Sequence, residues 1–162
     1  MPSFVWNEPR YLPDLTGKCP DVRTSRPGNL AVPASEAAEE IAPLRGCRIL
    51  VIEDEYFLAD DIAQGLRCFG AAVAGPVGTV GEALDLLDAV DPIDGAVLDI
   101  NLRGETILPV ARALRATSLP FIVTTGYART SLDPELQDVP IWEKPVDVPG
   151  IARALARLIG RR

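Results

Sequence analysis

Five short apolar runs, separated by stretches with helical spacing, constrain the fold of this chain more than anything else in it. The runs are residues 48–53 (RILVIE), 71–77 (AAVAGPV), 96–99 (AVLD), 119–124 (LPFIVT) and 139–143 (VPIWE). The first, third and fourth are nearly continuous in apolar character, as strands covered on both faces are, and the first, third and fifth end in a carboxylate. Between them, residues 56–69 place Leu58, Ile62, Leu66 and Phe69 on one helical face, with Gly70 as a stop signal. Thr79 is a natural cap for a second helix with the stripe Val80, Ala83, Leu84 and Leu87. A third helix over about 106–116 presents Ile107, Val110, Ala111 and Leu114, and Pro109 requires that it begin close by. The polar stretch 128–137, interrupted by Pro134, predicts at most a short helix, and residues 148–159 form a last helix with Ile151, Leu155, Leu158 and Ile159 inward. Strand and helix in alternation imply a parallel sheet of five strands in a doubly wound α/β fold.

Residues 1–44 do not share this regularity. Prolines at 2, 9, 13, 20, 27, 33 and 43 interrupt every potential element, so this extension is expected to be disordered or loosely docked, with the folded domain at 45–162. Residues 36–41 could form one helical turn. Phe4, Trp6 and Tyr11 read either as a partner-binding motif or as part of a passive tail.

Composition narrows the function. A formal charge of −7 disfavours nucleic acid or an anionic membrane as a direct partner, since both demand a basic surface. Cys19, Cys47 and Cys68 are odd in number and lack CxxC spacing, which predicts reduced thiols. Neither a signal peptide nor a run of roughly 18 apolar residues is present, so a cytoplasmic protein is expected. Histidine is absent, which removes Ser-His-Asp, Cys-His and histidine-metal chemistry. Carboxylates, hydroxyls and lysine remain.

Those groups gather at strand ends. The first run ends in Glu53-Asp54-Glu55, the third in Asp99, the fourth in Thr124-Thr125 and the fifth in Glu143-Lys144 before Pro145. In a parallel sheet all of these emerge at the carboxyl edge, where open α/β folds bind ligands. Carboxylates brought together there repel one another, and an oxygen-only donor set without histidine points to Mg²⁺ as the relieving cation. Asp99 could then act as a nucleophile toward a phosphoryl group, with Lys144 and Thr125 facing its equatorial oxygens. Each residue also has a purely structural reading. Asp99 could cap the next helix, the acidic run could be solvated, Thr125-Gly126 could be a turn, and Lys144-Pro145 a rigid bend.

The motifs RILVIEDE, AVLDINL, IVTTGY and EKP, in this order, resemble the receiver domains of two-component response regulators over about residues 46–161. The resemblance implies a flavodoxin-like receiver fold with a short or irregular fourth helix. It implies that Glu53 and Asp54 hold Mg²⁺ with Asp99, that Asp99 is the phosphoacceptor, and that Asn101 lends its backbone carbonyl to the metal. It makes Thr125 the switch hydroxyl and Lys144 the phosphate-pairing lysine, with a cis Lys144-Pro145 bond. TTGY is similar to the Thr-Gly-Tyr subgroup of receivers, many of them free-standing. Where the family usually carries its aromatic switch residue this chain has Ile141, with Trp142 beside it, so Tyr127 is the candidate replacement.

By the same resemblance the donor is a sensor histidine kinase or a phosphotransfer protein. Because few residues follow Ile159, no attached output domain is expected, and the signal would leave through a downstream protein or end in a phosphate relay or sink. Two alternatives belong to other classes. One is a phosphorylation-independent binding module. The other is a phosphatase of the haloacid dehalogenase type, whose nucleophile comes on the first strand and whose second Asp, two residues on, is here Asn101.

Overall fold

The apolar runs assemble into one sheet. In the computed structural model, which describes residues 42–89, 91–126 and 133–160, the chain order begins β1 (Arg48–Ile52), α1 (Tyr56–Cys68), β2 (Ala72–Val77), α2 (Val80–Asp88) and β3 (Gly95–Asp99). A small hairpin, β4 (Asn101–Leu102) and β5 (Glu105–Thr106), precedes α3 (Leu108–Ala116) and β6 (Phe121–Thr125). A 3₁₀ turn (Pro134–Leu136), β7 (Ile141–Glu143) and α4 (Val148–Ile159) complete the described chain. The expectations for Phe4, Trp6, Tyr11, residues 36–41 and Tyr127 lie outside the described residues.

The sheet order is β2-β1-β3-β6-β7, with every neighbouring pair parallel. This is the five-stranded doubly wound arrangement that the alternation predicts, and the flavodoxin-like order of the receiver fold. Helices α1 and α4 pack on each other, as do α2 and α3. Side chains alternate along each strand, so Leu50, Ile52, Ala96, Leu98 and Val123 join the core that includes Ala83, Val110 and Leu114. Ile49, Val51, Val97 and Ile122 alternate with them and are equally buried. Packing begins by Leu44, which is buried and donates its N–H to the Phe69 carbonyl at 3.0 Å.

Local chemistry explains the element ends. The Thr79 hydroxyl accepts from the Glu82 N–H at 3.2 Å and donates to the Glu82 carboxylate at 2.8 Å, a reciprocal cap that starts α2. Pro109 falls in the first turn of α3, where a missing N–H costs no helical bond. The β1–β2 register skips between Leu50 and Ile52. At Gly75 in β2 the backbone has φ +86°, and a Cβ there would lie 2.9 Å from the Val51 carbonyl. Beyond the skip, the Val77 carbonyl accepts the Glu53 N–H at 2.9 Å and fixes the end of β1.

Two expectations are corrected. The segment after Asp99 does not run straight into a helix but first forms the β4–β5 hairpin, so α3 starts at Leu108, two residues late. Reduced thiols were expected, yet Cys68 is disulfide-bonded while Cys47 is a free thiol. Spacing along the chain does not reveal which sulfurs a fold brings within bonding reach.

Helix α1 carries Gly65 against Val148, the first residue of α4. A Cβ at Gly65 would lie 2.5 Å from the Val148 Cγ1, and a β-branched side chain has few rotamers with which to yield. Gly65→Ala is therefore expected to destabilise by about 1–3 kcal/mol in urea unfolding, despite the better helix propensity of alanine. Adding Val148→Ala should recover part of the loss. A Gly65→Ala protein more stable than the parent would contradict this packing.

Candidate functional site

Sheet order decides where the polar residues go. β1 is followed by a connection to one side and β3 begins the other side, so the carboxyl ends of β1 and β3 flank the topological switch point. Glu53 and Asp54 follow β1 directly, and Asp99 is the last residue of β3. One oxygen from each of the three carboxylates lies within 4.8 Å of the others. Glu53 and Asp99 are buried, at 3% and 5% exposure, and Asp54 is half-buried. Three carboxylates this close and this dry repel strongly without positive charge between them.

Lys144 supplies some of that charge from the far side of the sheet. It follows β7, and its N–H is held by the Thr125 carbonyl at 2.8 Å. Its Nζ donates to Asp99 Oδ2 at 2.8 Å and lies 3.0 Å from Glu53 Oε2. The Lys144–Pro145 peptide is cis, as the resemblance implies. Burial works against the lysine's charge, but the contacts with Asp99 and Glu53 outweigh it and hold the ammonium above its ordinary pKa.

Glu53 is the least satisfied member. Its Oε1 accepts the Glu55 N–H at 3.1 Å. Its Oε2 is fully buried and has no partner at hydrogen-bonding angles, although the Lys144 ammonium stands nearby. Burial pushes the Glu53 carboxyl above the ordinary glutamate range; the Lys144 contact pulls the other way and the Asp99 charge adds to the rise. A buried carboxylate oxygen without a well-aligned hydrogen bond, beside two more carboxylates, is the kind of oxygen donor set a hard divalent cation takes. The residues therefore fit Mg²⁺, with Glu53, Asp54 and Asp99 as the oxygens that would hold it.

The remaining predicted residues take different places. Asn101 lies two residues past Asp99; its N–H reaches Asp99 Oδ1 at 3.4 Å, and its side-chain oxygen accepts the Gly104 N–H at 2.9 Å. Thr125 is fully buried at the end of β6, one residue beyond Thr124, which pairs with Asp99 in register. Ile141 and Trp142 sit half-buried on edge strand β7, opposite Val123 and Thr124, and Ile141 packs against the core. Tyr127 is outside the described residues.

Two features went unread in the sequence. Arg103, at the hairpin tip, donates its N–H to Asp54 Oδ2 at 3.2 Å, with Nε 4.0 Å from the same oxygen. The turn has φ > 0 at both Arg103 and Gly104, as a type I′ hairpin requires, and of the two only Gly104 is a residue that favours it. The second feature is a pair of arginine clamps. Arg112 grips Glu135 at 2.9 and 2.6 Å, and Arg115 grips Asp138 at 3.0 and 2.5 Å, tying α3 to the segment between β6 and β7. Each arginine holds its partner carboxyl below the ordinary range by direct hydrogen bonding.

No family model and no curated protein matches the sequence. Solved structures do. The chain is 39% identical to SdrG from Sphingomonas melonis Fr1, with a TM-score of 0.62, covering 70% of this chain and 96% of that one. It is 27% identical to a response regulator receiver protein from Sinorhizobium medicae WSM419, TM-score 0.61, over 70% of this chain and 94% of the other. This chain belongs to the response regulator receiver family. The receiver is also 26% identical to the response regulator PhyR from Brucella abortus, TM-score 0.64, covering 79% of this chain but only 54% of PhyR. Among the receiver's described residues, no helix is long and apolar enough to cross a membrane.

The rise in the Glu53 pKa has a measurable consequence in the metal-free receiver. A carboxyl whose folded pKa exceeds its unfolded one favours the fold at low pH, and that contribution is lost as pH rises through the folded value. The stability of Glu53→Gln relative to the parent, measured in EDTA, should therefore increase as pH climbs from the ordinary glutamate range toward neutrality. A difference that stays flat or falls would contradict the assignment.

Proposed function

We propose that this receiver accepts a phosphoryl group on Asp99 from a histidine kinase or phosphotransfer protein in the cytoplasm, and passes the signal on by protein contact or holds it as a relay or sink. The observation that carries this reading is the ion pair of Lys144 with Asp99 at 2.8 Å, set among three clustered carboxylates at the switch point. Residues 1–44 are taken as an extension to the receiver domain, with Leu44 at its end already packed into the core.

In the proposed reaction one Asp99 oxygen attacks the phosphorus of a phosphohistidine. The O–P bond forms, the N–P bond breaks, and the imidazole leaves with the electron pair. Bound Mg²⁺ would neutralise oxygens of the transferring group. Lys144 is already placed to follow charge from the Asp99 carboxylate onto the phosphoryl oxygens. Burial of Asp99 limits the attack to a donor arriving at the carboxyl edge. Thr125 would take up a new contact once the phosphoryl group is present, and the face from Tyr127 to Trp142 would carry the change outward.

Labelling by acetyl phosphate with Mg²⁺ tests the acceptor. Asp99→Asn is expected to abolish acid-stable, base-labile incorporation; full incorporation by the variant would overturn the assignment.

We place the donor's landing site at the start of α1. Tyr56 and Phe57 open α1 two and three residues after Asp54, and they are the large apolar side chains left exposed among the described residues, at 76% and 77%. Their rings meet edge to face at 5.5 Å, with Glu55, Asp60 and Asp61 around them in sequence. Such a patch suits a donor that presents an apolar centre with a basic rim. Replacing both aromatics by alanine should slow transfer from the protein donor about tenfold or more while acetyl phosphate labelling stays at the parent rate. Equal loss with both donors would place the defect in the site, not in docking.

A further inference from the structure

The hairpin after Asp99 is built so that its tip faces the metal-binding carboxylates. Asn101 captures the Gly104 N–H with its side chain, and β4 pairs with β5 through Asn101–Thr106 and Leu102–Glu105. The two residues at the turn, Arg103 and Gly104, have φ of +52° and +88°. Glycine adopts that conformation freely; arginine does so against its own sterics. In this turn the Arg103 N–H points at Asp54 Oδ2, at 3.2 Å, and the guanidinium lies over the same carboxylate with Nε at 4.0 Å. Its Nη2 reaches toward Gly78, in the loop after β2, where a side chain would lie 3.8 Å away. Arg103 thus spans the outer side of the carboxylate group, while Lys144 contacts Glu53 and Asp99.

We propose that Arg103 is a built-in competitor of the divalent cation for Asp54, so that metal uptake requires the hairpin tip to give up its charge contact and the arginine sets the receiver's Mg²⁺ affinity. The inference rests on the metal-site reading above. The charge arithmetic supports it. Lys144 already serves Glu53 and Asp99, leaving Asp54 as the carboxylate that Arg103 compensates. A divalent ion bound to Asp54 would stand close to the guanidinium, and two like charges separated by a few ångströms of solvent-exposed space oppose each other by a factor of about three to five in affinity. The side chain is 70% exposed, so salt should screen much of the effect. The backbone N–H contact survives any substitution that keeps the turn. The variants therefore separate charge from geometry.

The test is calorimetric titration of the full chain with magnesium chloride at low ionic strength, with amide NMR shifts as the second readout. Arg103→Gln should bind Mg²⁺ about three- to fivefold more tightly than the parent, Arg103→Lys should stay near the parent, and the gap should close in high salt. In the parent, the Arg103 and Gly104 amide signals should move as Mg²⁺ saturates. Arg103→Gln binding Mg²⁺ no better than the parent overturns the competitor role while leaving the metal site standing. Failure of the parent itself to take up Mg²⁺ overturns the metal-site reading along with it.

Discussion

Everything at the working edge of this receiver follows from putting carboxylates where water is scarce. Glu53 and Asp99 are almost fully buried, and with Asp54 they hold three oxygens within 4.8 Å of one another. Left alone, such a group would protonate or open, because ionised carboxylates in a dry site need positive charge or donors. The chain answers with cations from both flanks, Lys144 from β7 and Arg103 from the hairpin. Two cations of single charge face three carboxylates, and Glu53 Oε2 meets the Lys144 ammonium at 3.0 Å only outside good hydrogen-bonding angles. That crowding of oxygens is what would draw in a divalent cation, and on the proposed function Asp99, beside the Lys144 ammonium, would be the nucleophile.

The fold makes this possible because a parallel sheet sends all its strand ends the same way. The switch in order between β1 and β3 opens the crevice, and β6 and β7 bring Thr125 and Lys144 to the same edge. Rigidity comes from the two layers of packed helices, and from details such as the Val77 carbonyl that fixes Glu53. On the side away from β1, the arginine clamps of α3 hold residues 135 and 138 while the chain returns to β7.

Most of this architecture could be read before any coordinates. Continuous apolar runs such as RILVI and FIVTT have no other comfortable home than a doubly covered sheet, and the residues that end them fall at one edge by topology alone. The hairpin could not be read, because two-residue strands are too short to show a period and Arg103 is not a residue that announces a left-handed turn. The skip in β2 at Gly75 was equally invisible, since AAVAGPV looks like an ordinary strand. Nor could the Arg112–Glu135 and Arg115–Asp138 pairs be foreseen. Exposed charges 23 residues apart carry no mark of each other until the backbone brings them together.

The central claim is that a carboxylate at position 99, made reactive by its neighbours, forms an acyl phosphate. Its most direct test is to treat the full-length receiver with acetyl phosphate and Mg²⁺, reduce with borohydride, digest, and find the modified residue by mass spectrometry. The account predicts homoserine at position 99 and nowhere else. Reduction at another aspartate, or an unmodified peptide across residues 95–104 after full labelling, would contradict it.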